Sequence, residues 1–181
     1  MIDGEVTVNG DVSAAGIGCT GIWMEGPGRV TVNGDVHTTG GGCLAAYVKD
    51  DNDSEGGMLT VAGTVTSDGA GVIVNFQQIS DDTAVTLGSV DASGDGVETH
   101  CAKVRVLGDV TSDEGRGVMA YYGSEVTVGG DIAVTGPGCY GVQAEKGGIV
   151  TVSGDVDAAG NGSCGVWANG GEITVLGNIT A

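Results

Sequence analysis

The stretch Val6-Thr7-Val8-Asn9-Gly10-Asp11-Val12 decides the fold, because the chain carries eight copies of it. It returns as Val30-Thr31-Val32-Asn33-Gly34-Asp35-Val36 and as Leu59-Thr60-Val61-Ala62-Gly63-Thr64-Val65. A shortened copy reads Val85-Thr86-Leu87-Gly88-Ser89-Val90, and the last four begin at Val104, Val126, Val150 and Ile173. Successive copies lie 24, 29, 26, 19, 22, 24 and 23 residues apart. Inside each copy the apolar residues recur every second position, which is the period of a strand with one buried face. Val6 and Val8 therefore point one way and Thr7 the other, and the Asn-Gly-Asp corner turns the chain before Val12 and Ala14 point inward again.

Between the copies sits a second phrase, Gly-x-Gly followed by a small apolar segment. Its short form is Gly69-Ala70-Gly71-Val72, and its long form is Gly16-Ile17-Gly18-Cys19-Thr20-Gly21-Ile22. Beyond this corner the inward column reads Ile22, Ala46, Val72, Val97, Val118, Val142 and Val166, with no polar member. The residue before it is Gly21, Ala45, Gly71, Gly96, Gly117, Gly141 or Gly165, a corner with almost no room for a side chain. Three short strands per repeat, stacked about 4.8 Å apart, predict an all-β chain. The expected fold is a single parallel, right-handed β-solenoid of about eight coils of 19–29 residues, spanning 1–181.

Composition agrees. Thirty-seven glycines in 181 residues come with only two prolines, which excludes collagen, and 40% hydrophobic residues exclude a flexible linker. Six basic residues face 24 acidic ones, and the resulting charge of −18 repels phosphate backbones and anionic membranes. The expected partners therefore include no nucleic acid, and no apolar run is long enough for membrane insertion. No signal peptide opens the sequence, and neither end carries a polar cap. The expectation is a segment of a longer repeat protein, or a chain that associates end to end.

The outward columns hold the functional candidates. Threonine fills the centre of the first strand in seven copies, with Arg105 the exception. Charged, irregular flanks disfavour an ice-binding ladder and leave threonine as a β-branched residue suited to an exposed strand. The corner aspartates Asp11, Asp35, Asp109, Asp131 and Asp155 are replaced elsewhere by Thr64, Ser89 and Asn178. All accept hydrogen bonds from turn amides, although stacked carboxylates would also suit calcium. A sharper calcium candidate is the insertion with Asp51, Asp53 and Glu55, whose plain alternative is a solvated acidic loop. Cys19 and Cys43 occupy equivalent places in adjacent coils, and Cys139 and Cys164 do so with an offset of one. Disulfide reach and reduced packing are both open for them. Trp23 and Tyr47 would lie side by side on the surface, an aromatic platform of the kind that stacks on sugar rings. No catalytic set is found; Lys103, Arg105 and Arg116 are the nearest thing to the basic cluster of a polysaccharide lyase.

The two repeated phrases resemble the β-helical repeat regions of bacterial surface proteins, both autotransporter-adhesin passengers and carbohydrate-binding β-helix proteins. The resemblance runs over the whole chain and is architectural. It implies a non-enzymatic structural or adhesin module, displayed on the cell surface or secreted, in contact with polysaccharide or host glycan. The alternative is a calcium-assisted carbohydrate-binding module, for which the outward column, and not the resemblance, offers Trp23 and Tyr47 as the sugar contacts; no other cofactor is expected.

Overall fold

The computed structural model describes residues 4–50, 57–79 and 83–181. The first turn of the chain is β1 (Gly4–Val8), β2 (Val12–Ala15) and β3 (Thr20–Glu25), and the second is β4 (Gly28–Val32), β5 (Val36–Thr39) and β6 (Leu44–Asp50). The third has a long β7 (Met58–Ser67) and β8 (Ala70–Phe76), and the fourth β9 (Thr83–Ala92) and β10 (Val97–His100). The fifth is β11 (Lys103–Val106), β12 (Val110–Ser112) and β13 (Val118–Tyr121); the sixth is β14 (Glu125–Val128), β15 (Ile132–Val134) and β16 (Tyr140–Glu145). Then come β17 (Ile149–Val152), β18 (Val156–Ala158) and β19 (Cys164–Asn169), and finally β20 (Glu172–Val175) and β21 (Ile179–Thr180). These are seven complete turns and two strands of an eighth.

Each strand pairs in parallel with its equivalent one turn away, so the chain is a β-solenoid with three faces. The third face is a 7-stranded sheet in the order β19-β16-β13-β10-β8-β6-β3. The first two faces belong to one 14-stranded sheet rather than two, because β7 and β9 run unbroken round the corner between them. The reason lies in the sequence. In those two turns Asn-Gly-Asp gives way to Ala62-Gly63-Thr64 and to the shorter Gly88-Ser89, and the register shifts between Val61 and Thr64 instead of the strand ending.

The core is a thin stack of columns. Val32, Val61, Leu87, Val106, Val128 and Val152 are buried on the first face, and Val36, Val65, Val90, Val110, Ile132 and Val156 on the second. The third-face column from Ile22 to Val166 stacks in the predicted register. The glycine before it is a matter of space. A Cβ on Gly96 would meet Val110 Cγ1 at 2.7 Å, and one on Gly117 would meet Ile132 Cγ2 at 2.5 Å. Removing that side chain lets the second face close on the third.

Polar atoms inside this core are paired, as burial demands. Thr38 Oγ1 donates to Ser67 Oγ at 2.9 Å, and the Gly69 amide donates to that same oxygen at 3.1 Å. Ser112 Oγ donates to the Gly94 carbonyl at 2.7 Å, and Thr99 Oγ1 to the Met119 carbonyl at 3.1 Å. The Thr38, Ser67 and Ser112 hydroxyls sit where other turns carry Ala92, Val134 or Ala158, and Thr99 sits where they carry Val74 or Ala120.

The corner aspartates join the turns. Asp11 Oδ1 accepts the amide of Asp35 at 2.9 Å, Asp35 Oδ1 that of Thr64 at 2.8 Å, and Asp109 Oδ1 that of Asp131 at 2.9 Å. Asp131 and Asp155 continue to Asp155 and Asn178 at 2.8 and 2.7 Å, and Ser89 Oγ takes the Asp109 amide at 3.3 Å. Each side chain thus caps the equivalent amide one turn on, not an amide of its own turn. The glycine before each amide capped by an aspartate follows from this: a Cβ on Gly34, Gly63, Gly130, Gly154 or Gly177 would land on the carboxylate of the turn before.

Candidate functional site

On the third face, side chains that point away from the core form three columns. The column beginning at Trp23 runs through Tyr47, Ile73, Glu98, Met119 and Gln143 to Trp167. The next runs from Glu25 through Lys49, Asn75, His100 and Tyr121 to Glu145. On the other flank, just before the glycine corner, Tyr140 and Cys164 oppose each other.

Trp23 and Tyr47 are brought together as the sequence predicted. They are register partners, with ring centroids 4.8 Å apart and Trp23 60% exposed. Their planes meet at 49°, so the pair forms a shallow angled surface rather than one flat plate. The ion pair of Lys49 with Glu25, at 3.4 Å, borders it.

A second cluster, which the repeat pattern does not reveal, lies at the C-terminal ends of β10, β13 and β16. His100 stacks on Tyr121 at 5.0 Å and 30°, and on Tyr122 at 5.8 Å and 29°. Lys146 Nζ donates to the Tyr122 hydroxyl at 2.7 Å and lies 4.4 Å from its ring centre. That contact pushes the Lys146 pKa up, chiefly through the hydrogen bond to Tyr122. His100 Nε2 is 2.9 Å from Glu98 Oε1. Tyr121 has its phenol raised, first by burial, with Glu145 and Glu98 adding to it against Arg116.

Met119 and Gln143 point outward yet are buried, because their neighbours fold over them. Arg116 Nη1 lies 2.8 Å from Met119 Sδ and also reaches Asp95 at 4.0 Å. Gln143 Nε2 donates to the Tyr121 hydroxyl at 3.2 Å and to Glu145 Oε1 at 2.6 Å, while its Oε1 has no partner. At the far end Tyr140 and Trp167 form a third aromatic pair, with centroids 5.9 Å apart. The signal available in the sequence was the doublet Tyr121-Tyr122, in register with His100-Cys101. Both its rings reach His100, with centroids 6.4 Å from each other, because Tyr122 takes a left-handed backbone, φ 53°, as Cys101 and Lys146 do at the same corner.

The other candidates separate. Lys103 and Arg105 lie on β11, on the first face, where Lys103 pairs with Glu125 at 3.6 Å; Arg116 lies at the corner before β13. The basic cluster is therefore not assembled. The seven threonines and Arg105 do stack in one column on the first face. Asp51, Asp53 and Glu55 lie outside the described residues, among which no group of three or more His, Cys, Asp or Glu is placed to hold a metal ion. Cys19 and Cys43 meet, with their sulfurs 2.8 Å apart, whereas Cys139 is set against Ser163, whose Oγ takes its amide at 3.1 Å.

No protein-family model, curated protein or solved structure matches this chain.

Proposed function

We propose that this chain is a non-enzymatic, rigid β-solenoid module of the bacterial surface-adhesin kind, whose third face contacts neutral glycan. One observation carries the reading. Every tyrosine and tryptophan of the chain, four and two, lies on that face or at its edge, while the other two faces carry none. Aromatic rings offer apolar area at low entropic cost, and a row of them exposed on one side of a protein marks a contact surface. With His100 they fall in three groups, on the first and second, fourth and fifth, and sixth and seventh turns. At about 4.8 Å per turn the outer groups are roughly 24 Å apart, a span suited to an extended chain lying along the solenoid axis. A formal charge of −18 favours a neutral sugar over a polyanion. Calcium assistance would rest on Asp51, Asp53 and Glu55. Display outside the cell follows from the resemblance in the repeat and belongs to the same proposal.

The test is retention on immobilised neutral polysaccharides. The wild-type chain is retained, the double variant Trp23→Ala/Tyr47→Ala loses affinity on the order of tenfold or more, and Thr127→Ala/Thr151→Ala on the first face behaves as wild type. Equal retention of all three proteins would contradict the assignment of the binding face.

A further inference from the structure

We propose that Cys19 and Cys43 are a modification site, a dithiol that small-molecule disulfides convert into a covalent clamp between the first and second turns. The geometry is already near that of the product. The two residues precede β3 and β6, whose Thr20 and Leu44 are register partners, and the Leu44 amide donates to the Cys19 carbonyl at 2.9 Å. Neighbouring strands about 4.8 Å apart fall inside the Cα separation that a disulfide needs. The sulfurs stand 2.8 Å apart, so closing to about 2.05 Å requires a shift of under about 1 Å.

The surroundings give the reaction an order. Cys43 is 2% exposed and its Sγ donates to the Gly16 carbonyl at 3.0 Å, whereas Cys19 is half-buried and within reach of solvent. A disulfide RSSR meets Cys19 first and yields Cys19–S–S–R with release of one RSH. The Cys43 sulfur then attacks Cys19 Sγ, displaces the second RSH and leaves Cys19–S–S–Cys43. Two thiols are oxidised and one RSSR is reduced to two RSH, which carry away both protons. The hydrogen bond from Cys19 to Cys43 pushes the Cys19 thiol above its ordinary 9.0, so conversion quickens as the solution becomes alkaline.

The remaining thiols lack this arrangement. Tyr140, not Cys139, opposes Cys164, whose Sγ donates to the Val166 carbonyl at 3.1 Å. Cys139 Sγ turns to the Pro137 carbonyl at 3.8 Å. The clamp has a mechanical consequence, because a solenoid opens from its terminal turns and each turn is held only by its neighbour. The first turn is the least buried at this end: Val6 is 53% exposed and Trp23 60%. A covalent link from Cys19 to the second turn holds β1 to β3 on the stack, and with them the Trp23–Tyr47 register.

The chain is equilibrated in oxidised glutathione, alkylated and mapped without reduction, and amide exchange is followed in both redox states. Of five cysteines two disappear from the alkylated pool, and one peptide pair joins Cys19 to Cys43. Cys43→Ser stops at a glutathione adduct on Cys19. Exchange in β1 to β3 slows on the order of tenfold or more on oxidation, while β13 and β16 are unchanged. Alkylation of all five cysteines, a link between Cys139 and Cys164, or a Cys19–Cys43 bond that leaves exchange in the first turn unaltered would each overturn the clamp.

Discussion

At the scale of single residues, the repeat works because two adjacent positions solve one problem together. The corner aspartate reaches forward to cap the amide one turn on, and that geometry is possible only if the residue before the capped amide has no side chain. Gly-Asp is thus a unit shared between turns: Gly154 exists for Asp131, and Asp131 for the amide of Asp155. Asp131→Asn keeps an acceptor at the same place and should cost well under 1 kcal/mol, whereas Asp131→Ala loses the bond for about 1 kcal/mol. Gly154→Ala must push the carboxylate aside and break that bond as well as crowd the Gly130 backbone, so it should cost about 2–3 kcal/mol. Thermal unfolding of the three variants checks the order. An alanine at 154 that is as stable as wild type would show that the ladder is not what fixes the glycine.

At the scale of elements, the inward columns could be read from the sequence and the outward ones only in part. A valine at every second position, repeated at 19–29 residues, has one consistent placement, and the register of β1 through β20 follows from it. What period and spacing do not contain is how neighbouring columns interact. Met119 and Gln143 occupy the same outward column as Trp23, yet Arg116 and Tyr121 cover them, so one column is exposed at one end and buried in the middle. The fused strands β7 and β9 are not legible for a related reason: the repeat implies a break at the corner of every turn, whereas at Ala62-Gly63-Thr64 and Gly88-Ser89 the backbone simply bends. Trp23 and Tyr47 are legible as outward partners in adjacent turns, and His100 and Tyr121 are partners of the same kind; Tyr122 is not legible in this way, because its contact with His100 depends on a left-handed residue at the corner.

The third face also has a titration signature. Burial raises the thiols of Cys101 and Cys139 above 9.0 and is the first cause raising the Tyr121 phenol above 10.0. A raised folded-state value means that these groups ionise more readily once the chain unfolds. Their contribution to stability is complete below the unfolded values and is lost as pH climbs through the folded ones. The unfolding temperature should therefore stay level to about pH 8 and fall progressively above pH 9, with Cys101→Ser blunting the fall. A fall of the same size in the Cys101→Ser variant would place the alkaline loss elsewhere.

At the scale of the whole molecule, the chain is a narrow stiff rod with a core of valine and alanine, an acidic surface and one face of distinct chemistry. Burial adds turn by turn, and no single side chain carries it. The fold accounts for the glycine content, the −18 charge for the expected indifference to polyanions, and the aromatic face for the proposed glycan contact. The central claim is that this face binds neutral sugar, and a glycan array probed with the wild-type chain, once in calcium and once in EDTA, tests it most directly. The account predicts binding to neutral glycans in calcium, and a loss in EDTA would show calcium dependence and make Asp51, Asp53, Glu55 and the corner aspartates the next substitutions. Silence in both buffers, or binding confined to acidic glycans, would contradict it.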